Sequence, residues 1–322
     1  MICAVAQPGH GDLAPGGDDM TDQATPIALE DTKPARRAGR PSRHLTGWLL
    51  ASPLVVVLAV FLVLPIAMIV MVSFWGATEW SIYPAFQFDN YAFLFGSDVT
   101  YRVFFNTVKY ALITWAFTLL IGFTVAYFLA FHVRSLGWQV GLFLVCTIPF
   151  WTSNIIRMIS WIPFLGREGL ANSALLSWGV IDKPLEWLLF SDFSVILAFV
   201  HLYTLFMVVP IFNTMMRIDR SLLEAANDAG ATGRQTLWHV IVPLTKPGIM
   251  IGTIFVVTLV MGDFITVRFM SGSQKANVGR LISNDISLLQ YPSASATAVV
   301  LLITVLIVIS VLLRFVDIRK EL

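Results

Sequence analysis

Charge is scarce in this 322-residue chain. Only 13% of residues are Asp, Glu, Lys or Arg, and they balance to a net +1, where soluble domains carry about a quarter charged residues. That balance excludes the clustered basic surface that a nucleic-acid partner would need, so no nucleic acid is expected. Cysteine is scarcer still. Cys3 and Cys146 stand alone, too few and too far apart for a disulfide framework or a metal site. The five histidines do not cluster and no H-E-x-x-H run occurs, which leaves no zinc-type ligand set. No Gly-Lys pair is present, so the G-x-x-x-x-G-K-[ST] phosphate loop is missing too. The chain is expected to hold no metal and no cofactor, and any energy that drives it has to come in trans.

Apolar residues are abundant instead, at 57% of the chain with a mean hydropathy of +0.77. Length alone would allow about two soluble domains, but apolar runs long enough to cross a bilayer overrule that reading. The sequence predicts an all-α polytopic membrane protein with six transmembrane helices: Trp48–Phe74, Val103–His132, Gln139–Leu165, Ser194–Met216, Ile249–Met270 and Ala296–Phe315. Cys146 falls inside such a run and reads as a small core residue. Residues 1–45, rich in Gly, Pro, Asp and Ala, have the composition of a disordered tail and no signal-peptide core; Met20 is an alternative start. The division is a cytoplasmic tail (1–45), a first span with an aromatic-rich outer loop (46–101), a membrane core (102–316) and a cytoplasmic tail (317–322). Arg36, Arg37, Arg40 and Arg43 precede the first span. Counting about thirteen Lys/Arg on that side against about five on the other predicts cytoplasmic termini.

One segment inside the core is polar, residues 217–248. Ser221 and Glu224 have capping-box spacing, as do Thr232 and Gln235. Gly230 between them suits the left-handed turn that ends a helix. Pro243 and Pro247 should limit the second helix, since proline lacks the N–H and clashes inside a helix. Two short capped helices between spans make a stiff protrusion on the cytoplasmic side.

Glu224-Ala225-Ala226, then Gly230, then Val240-Ile241-Val242-Pro243 resembles the EAA motif of the membrane subunits of bacterial ABC importers. Val240 and Val242 replace the usual Ile and Leu; the spacing is matched throughout. The resemblance implies the type I importer transmembrane fold, with residues 217–248 docking as a coupling segment on a separate ATPase that binds ATP and Mg. It assigns Glu224, Ala225, Ala226, Gly230 and Pro243 to that contact. It further implies a second homologous permease subunit, two ATPase subunits, an extracytoplasmic solute-binding protein, the bacterial inner membrane and no enzymatic activity of the chain itself.

A second likeness is narrower. Pro149-Phe-Trp-Thr-Ser-Asn154, Arg157, Trp161, Gly169-Leu-Ala-Asn172, Asn106-Thr107, Gly262-Asp263-Phe264 and Gly279 are similar to runs in permeases of the spermidine/putrescine group. This implies a polyamine cargo moved by alternating access; relatives on the same scaffold carry opines, amino-acid derivatives, phosphonates or iron.

Ionisable residues within spans are costly enough to be functional candidates. Asp263, Arg157 and Asn154 are read either as part of the translocation path or as a helix-pairing set in which Asp263 meets Arg157 or Arg268, the pairing being preferred. Lys109 and His132 lie near span ends and receive no role. Met207, Met215 and Met216 read as packing residues. Residues 166–192 form the outer loop best suited to a soluble partner. A secondary transporter would need inverted repeats and several mid-membrane carboxylates, and a membrane enzyme a nucleophile or ligand constellation; the sequence offers neither.

Overall fold

The computed structural model describes residues 43–78 and 81–314. Contacts divide the chain into two units, Met1–Val55 and Val56–Leu322. Of the first, residues 43–55 are described and are helical. The tail expected to be disordered thus lies outside the described residues, apart from 43–45, which already belong to a helix. The C-terminal tail, 317–322, lies outside them as well.

The elements in chain order are helices α1 (Arg43–Leu58) and α2 (Leu64–Val72), strands β1 (Gly76–Ala77) and β2 (Ile82–Tyr83), and helix α3 (Asp89–Gly96). Helices α4 (Asp98–Tyr127), α5 (Leu136–Thr147), α6 (Asn154–Ile159), α7 (Trp161–Leu165), α8 (Leu170–Ser177) and α9 (Asp192–Met215) follow. The last are α10 (Arg220–Asp228), α11 (Gly233–Thr236), α12 (Val242–Gly262), α13 (Phe264–Met270), α14 (Val278–Ser287) and α15 (Tyr291–Arg314). The two strands form one antiparallel pair, Gly76 opposite Tyr83.

Among the described residues five continuous helical stretches can cross a bilayer: Ala51–Val72, Asp98–His132, Asp192–Met215, Gly233–Gly262 and Tyr291–Arg314. A sixth is a bent pair, Leu136–Trp151 and Asn154–Ser177, meeting at 90°. The straight third span expected over 139–165 is therefore broken. Its cause is local: Pro149 sits in a 3-10 turn at Ile148–Trp151, after which Thr152 and Ser153 are extended. The fifth span is also displaced. It ends at Gly262, and Asp263 turns the chain into the separate helix α13.

Pro243 and Pro247 do not stop a helix, contrary to expectation; α11 runs through to α12 as one stretch. A π-turn at Leu237–Ile241 lies just before Pro243, with the Val242 N–H reaching back to Leu237 O. The wider turn moves the preceding carbonyls away from the proline ring. The first span uses the same device: a π-turn at Ala59–Val63, with Leu64 N–H on Ala59 O, precedes Pro65.

The core is a three-helix contact of α4, α9 and α12. Small residues let the backbones approach, as expected where van der Waals packing has to hold membrane helices together. Gly248 and Gly252 form a small-xxx-small pair on α12. A Cβ on Gly248 would lie 2.5 Å from Pro210 O, and one on Gly252 2.6 Å from Met207 Sδ. Met207 is fully buried and also fills the space opposite Gly122 of α4. Met207 and Met215 are packing residues; Met216 is exposed, with its sulfur accepting from Gln139 Nε2. Around this centre, α15 packs on α14, α2 and α3.

Candidate functional site

The polar segment is built almost entirely by local bonds. α10 is capped by Asp219, whose Oδ1 accepts from the Ser221 N–H at 3.0 Å. The expected Ser221 cap is thus displaced by two residues, because an aspartate caps as well as a serine and comes first. Glu224 then lies beyond the first turn and cannot reach back. It is exposed and makes no side-chain hydrogen bond or ion pair among the described residues. At the other end Gly230 has φ +79°, its N–H bonds Asn227 O at 2.9 Å, and the Ala231 N–H bonds Ala226 O at 3.0 Å. This pair of bonds is a Schellman motif. Two residues later Thr232 and Gln235 form the expected reciprocal capping box.

The surface so fixed is open. Ala225 is exposed, Ala226 half-buried, and Pro243 exposed in the first turn of α12. A Cβ on Gly230 would meet nothing within 4 Å. A cleft of ≈ 350 Å³ lies beside it, lined by Gly230, Ala231, Gln235 and His239 among others.

A second polar cluster surrounds the two helix breaks. Tyr203 is about halfway along α9, roughly 16 Å from its start at 1.5 Å per residue. Its hydroxyl donates to Asp263 Oδ2 at 2.7 Å; Asp263 also caps α13, accepting from Thr266 N–H at 2.9 Å and Thr266 Oγ1 at 2.6 Å. Asp263 forms no ion pair with Arg157 or Arg268, so the preferred pairing is not the one found; Arg268 is exposed. The reason is that capping α13 turns the carboxylate toward its own helix start. Arg157 donates instead to Asn154 Oδ1. It is only 8% exposed, and its Nε has no partner. Trp161 Nε1 donates to His201 Nδ1 at 3.0 Å, which leaves the proton of the neutral ring on Nε2.

The motif residues of the second likeness converge on this region. The Val278 N–H donates to Thr107 Oγ1 at 2.9 Å and Asn277 Nδ2 to Asp263 O at 2.8 Å. A Cβ on Gly279 would lie 3.1 Å from Gly262 O. Asn172 has a different task. It is fully buried and spans the loop, donating to Gly166 O and Leu185 O and accepting from the Leu185 N–H. Gly169 is packed against Pro163 O, where a Cβ would lie at 2.7 Å. The Gly-x-x-Asn run is the brace of the 166–192 loop.

Sequence reasoning missed His201, Tyr203 and Asp192. Asp192 starts α9, accepts from Tyr110 O–H at 2.6 Å and pairs with Lys109 at 2.7 Å. Lys109 is an end-of-span residue whose partner is distant in sequence, so no local spacing announces the pair.

Residues 135–320 match the family of binding-protein-dependent transport system inner membrane components. A spermidine/putrescine transport system permease protein, PotB, of Salmonella typhimurium (strain SL1344) is 34% identical over 248 residues, covering 76% of this chain and 85% of that one. The protein of the same name from Escherichia coli (strain K12) is 34% identical over 251 residues, covering 76% and 89%. Among solved structures, a bacterial ABC transporter involved in the import of alginate shares the fold with a TM-score of 0.70 at 18% identity, over 84% of this chain and 96% of that one.

Proposed function

The chain belongs to the binding-protein-dependent transport inner membrane family, and from that premise we propose that it carries a polyamine, spermidine or putrescine, into the cytoplasm. It is a multi-pass inner-membrane permease subunit, a transport component rather than an enzyme. The observation that carries the cargo assignment is the likeness to a spermidine/putrescine permease over 85% of that protein's length.

In this reading both termini are cytoplasmic, which the distribution of Lys and Arg supports. The coupling segment then meets a cytoplasmic ATPase through Glu224, Ala225, Ala226 and Gly230. A stiff element is needed there because a floppy one would absorb the displacement. The Schellman turn and capping box supply that stiffness, and Glu224 is left free to pair with a basic residue of the ATPase. Pro243 and its π-turn join the segment to α12, so motion of the segment is motion of the fifth span. One coupling segment meets one ATPase, so a second homologous permease completes a pore over two ATPases that bind ATP and Mg. A solute-binding protein delivers cargo from outside.

Asp263, Tyr203, Arg157, Asn154 and His201 form this chain's wall of the path. His201 is exposed near the centre of a membrane helix, and an ionisable group at that depth belongs against water or protein rather than lipid. The Asp263 carboxylate has hydroxyl and amide donors but no cationic partner among the described residues, so a protonated amine would complete its shell.

The test is ATPase activity of the reconstituted complex with its binding protein, in spermidine, putrescine, a neutral opine-like solute and a phosphonate. Stimulation by the polyamines alone supports the cargo, and Asp263→Asn should then weaken it. Stimulation by an anion or neutral solute keeps the importer and discards the polyamine.

A further inference from the structure

The segment joining the first and second spans is fastened at several points. Asn90 Nδ2 donates to Ser73 O and Trp75 O, both at 2.9 Å, and the Tyr91 and Ser73 hydroxyls bond at 2.7 Å. The Asn90 bonds take up the carbonyls of Ser73 and Trp75 just past the end of α2, whose own last carbonyls are bonded by Ser73, Phe74 and Trp75. Gly76 lies so close to the Tyr83 ring that a Cβ would be 2.2 Å away. The rings of Phe74, Phe86, Phe88 and Tyr91 interlock at 5.1–5.5 Å between the Phe74 centroid and the other three. At the far end Tyr101 O–H donates to Phe95 O at 2.9 Å. A rigid block results, and it turns aromatic faces outward. Phe86 is 79% and Phe93 73% exposed, with Phe88 and Phe95 also exposed.

We propose that this block, residues 86–95, is seated in the interfacial layer of the lipid bilayer and holds the end of the first span at a fixed depth. The inference rests on the chain spanning a membrane and is independent of the cargo. Chain length fixes the location: α2 closes one apolar stretch at Val72 and α4 opens another at Asp98, so what joins them lies at a membrane boundary. The chemistry fits the same place. Exposed rings of this size gain by entering the boundary between headgroups and acyl chains, where aromatic residues concentrate. The charged residues of the block and its exit, Asp89 and Asp98, sit in the first turns of α3 and α4, where the helix N-termini favour them. The consequence is mechanical. Side chains along α2 are almost all exposed, and the helix touches α15 for its hold. A block bonded to the chain just past its end and gripped by lipid adds a second point of attachment.

The experiment uses the complex with its ATPases in lipid nanodiscs, in a Cys3→Ser/Cys146→Ser background. A nitroxide is attached at Phe93→Cys, and its collisions with oxygen and with a water-soluble nickel chelate are compared. Leu120→Cys, on an exposed apolar face of α4, and Asp182→Cys, in the 166–192 loop, give the lipid and water references. The expected result is an oxygen-favoured ratio between the two, corresponding to about 5–10 Å below the surface. A ratio equal to that of residue 182 overturns the proposal in favour of water, and shielding from both reagents overturns it in favour of a protein cover. If Phe93→Cys fails to assemble, Phe86→Cys is read by the same criteria. Loss of cargo-stimulated ATPase in the parent complex would sink the importer reading without altering the depth measured.

Discussion

Gly230 and Gly248 lie in one continuous stretch of chain and are required for opposite reasons. At Gly230 a side chain would find open space, and only the backbone, at φ +79°, favours glycine. At Gly248 the backbone is ordinary helix, and space is what is missing, with Pro210 O and Thr214 Oγ1 both 2.5 Å from a would-be Cβ. The polar segment 217–248 is therefore shaped from within by its own caps, and its outer surface is open. The α4–α9–α12 centre is shaped by contact, and nothing further can enter it. Stiffness at the surface and close packing at the centre are the two conditions for passing a displacement from one to the other.

The largest effect should come from breaking the centre. Gly248→Leu forces a branched side chain into backbone, a type of overpacking that costs about 1–3 kcal/mol and sometimes more. The folded, monodisperse fraction in detergent should fall sharply, with a lower thermal midpoint. An unchanged midpoint would refute the packing described for α9 against α12.

Next in size is Tyr203→Phe. It removes a donor from the half-buried Asp263 Oδ2 while Thr266 still binds the same oxygen, so the cost is that of one hydrogen bond, about 0.5–1.5 kcal/mol. The thermal midpoint should drop less than in Gly248→Leu, and Asp263→Asn should disturb transport more than stability. If Asp263→Asn lowers stability and leaves transport alone, Asp263 is a helix cap and no part of the path.

A smaller effect is expected at the surface. Gly230→Ala places an L side chain in the left-handed region, at about 1–2 kcal/mol, while Gly230→Asn is tolerated there far better. The chain should fold in both cases. ATPase retention on purification separates the two roles of the glycine: loss in Ala but not in Asn means that the turn matters, and loss in both means that the open space does.

The same contrast explains how much was legible in the sequence. The Gly230 stop and the Thr232–Gln235 box were readable because their bonds close within a few residues. Six apolar stretches were readable because hydropathy is additive along a helix. The break at Thr152–Ser153 was not, since hydropathy continues across it and Pro149 alone does not separate a kink from a 90° bend. Pro243 and Pro247 misled for a related reason: a π-turn relieves a proline and leaves no mark on composition. The pairs Tyr203–Asp263, Trp161–His201 and Lys109–Asp192 join residues distant in sequence. Single residue types flagged Asp263 and Arg157 as costly but could not say that a tyrosine and a threonine, rather than each other, would meet Asp263.

The smallest effect tests the displaced cap. The Ser221 backbone N–H bonds the Asp219 carboxylate and holds its pKa below the usual carboxylate range. A group with a depressed folded pKa contributes stability above its unfolded value, near 3.9 for aspartate, and loses it as pH falls through the folded value. Amide exchange at the start of α10 should therefore quicken, relative to intrinsic rates, only below about pH 4. Asp219→Asn keeps an acceptor without a titrating charge, so its protection should be flat across that range. If Glu224→Gln rather than Asp219→Asn removes the pH response, the box starting at Ser221 forms after all. Glu224 would then be tied back to its own helix and lost to the proposed contact with the ATPase.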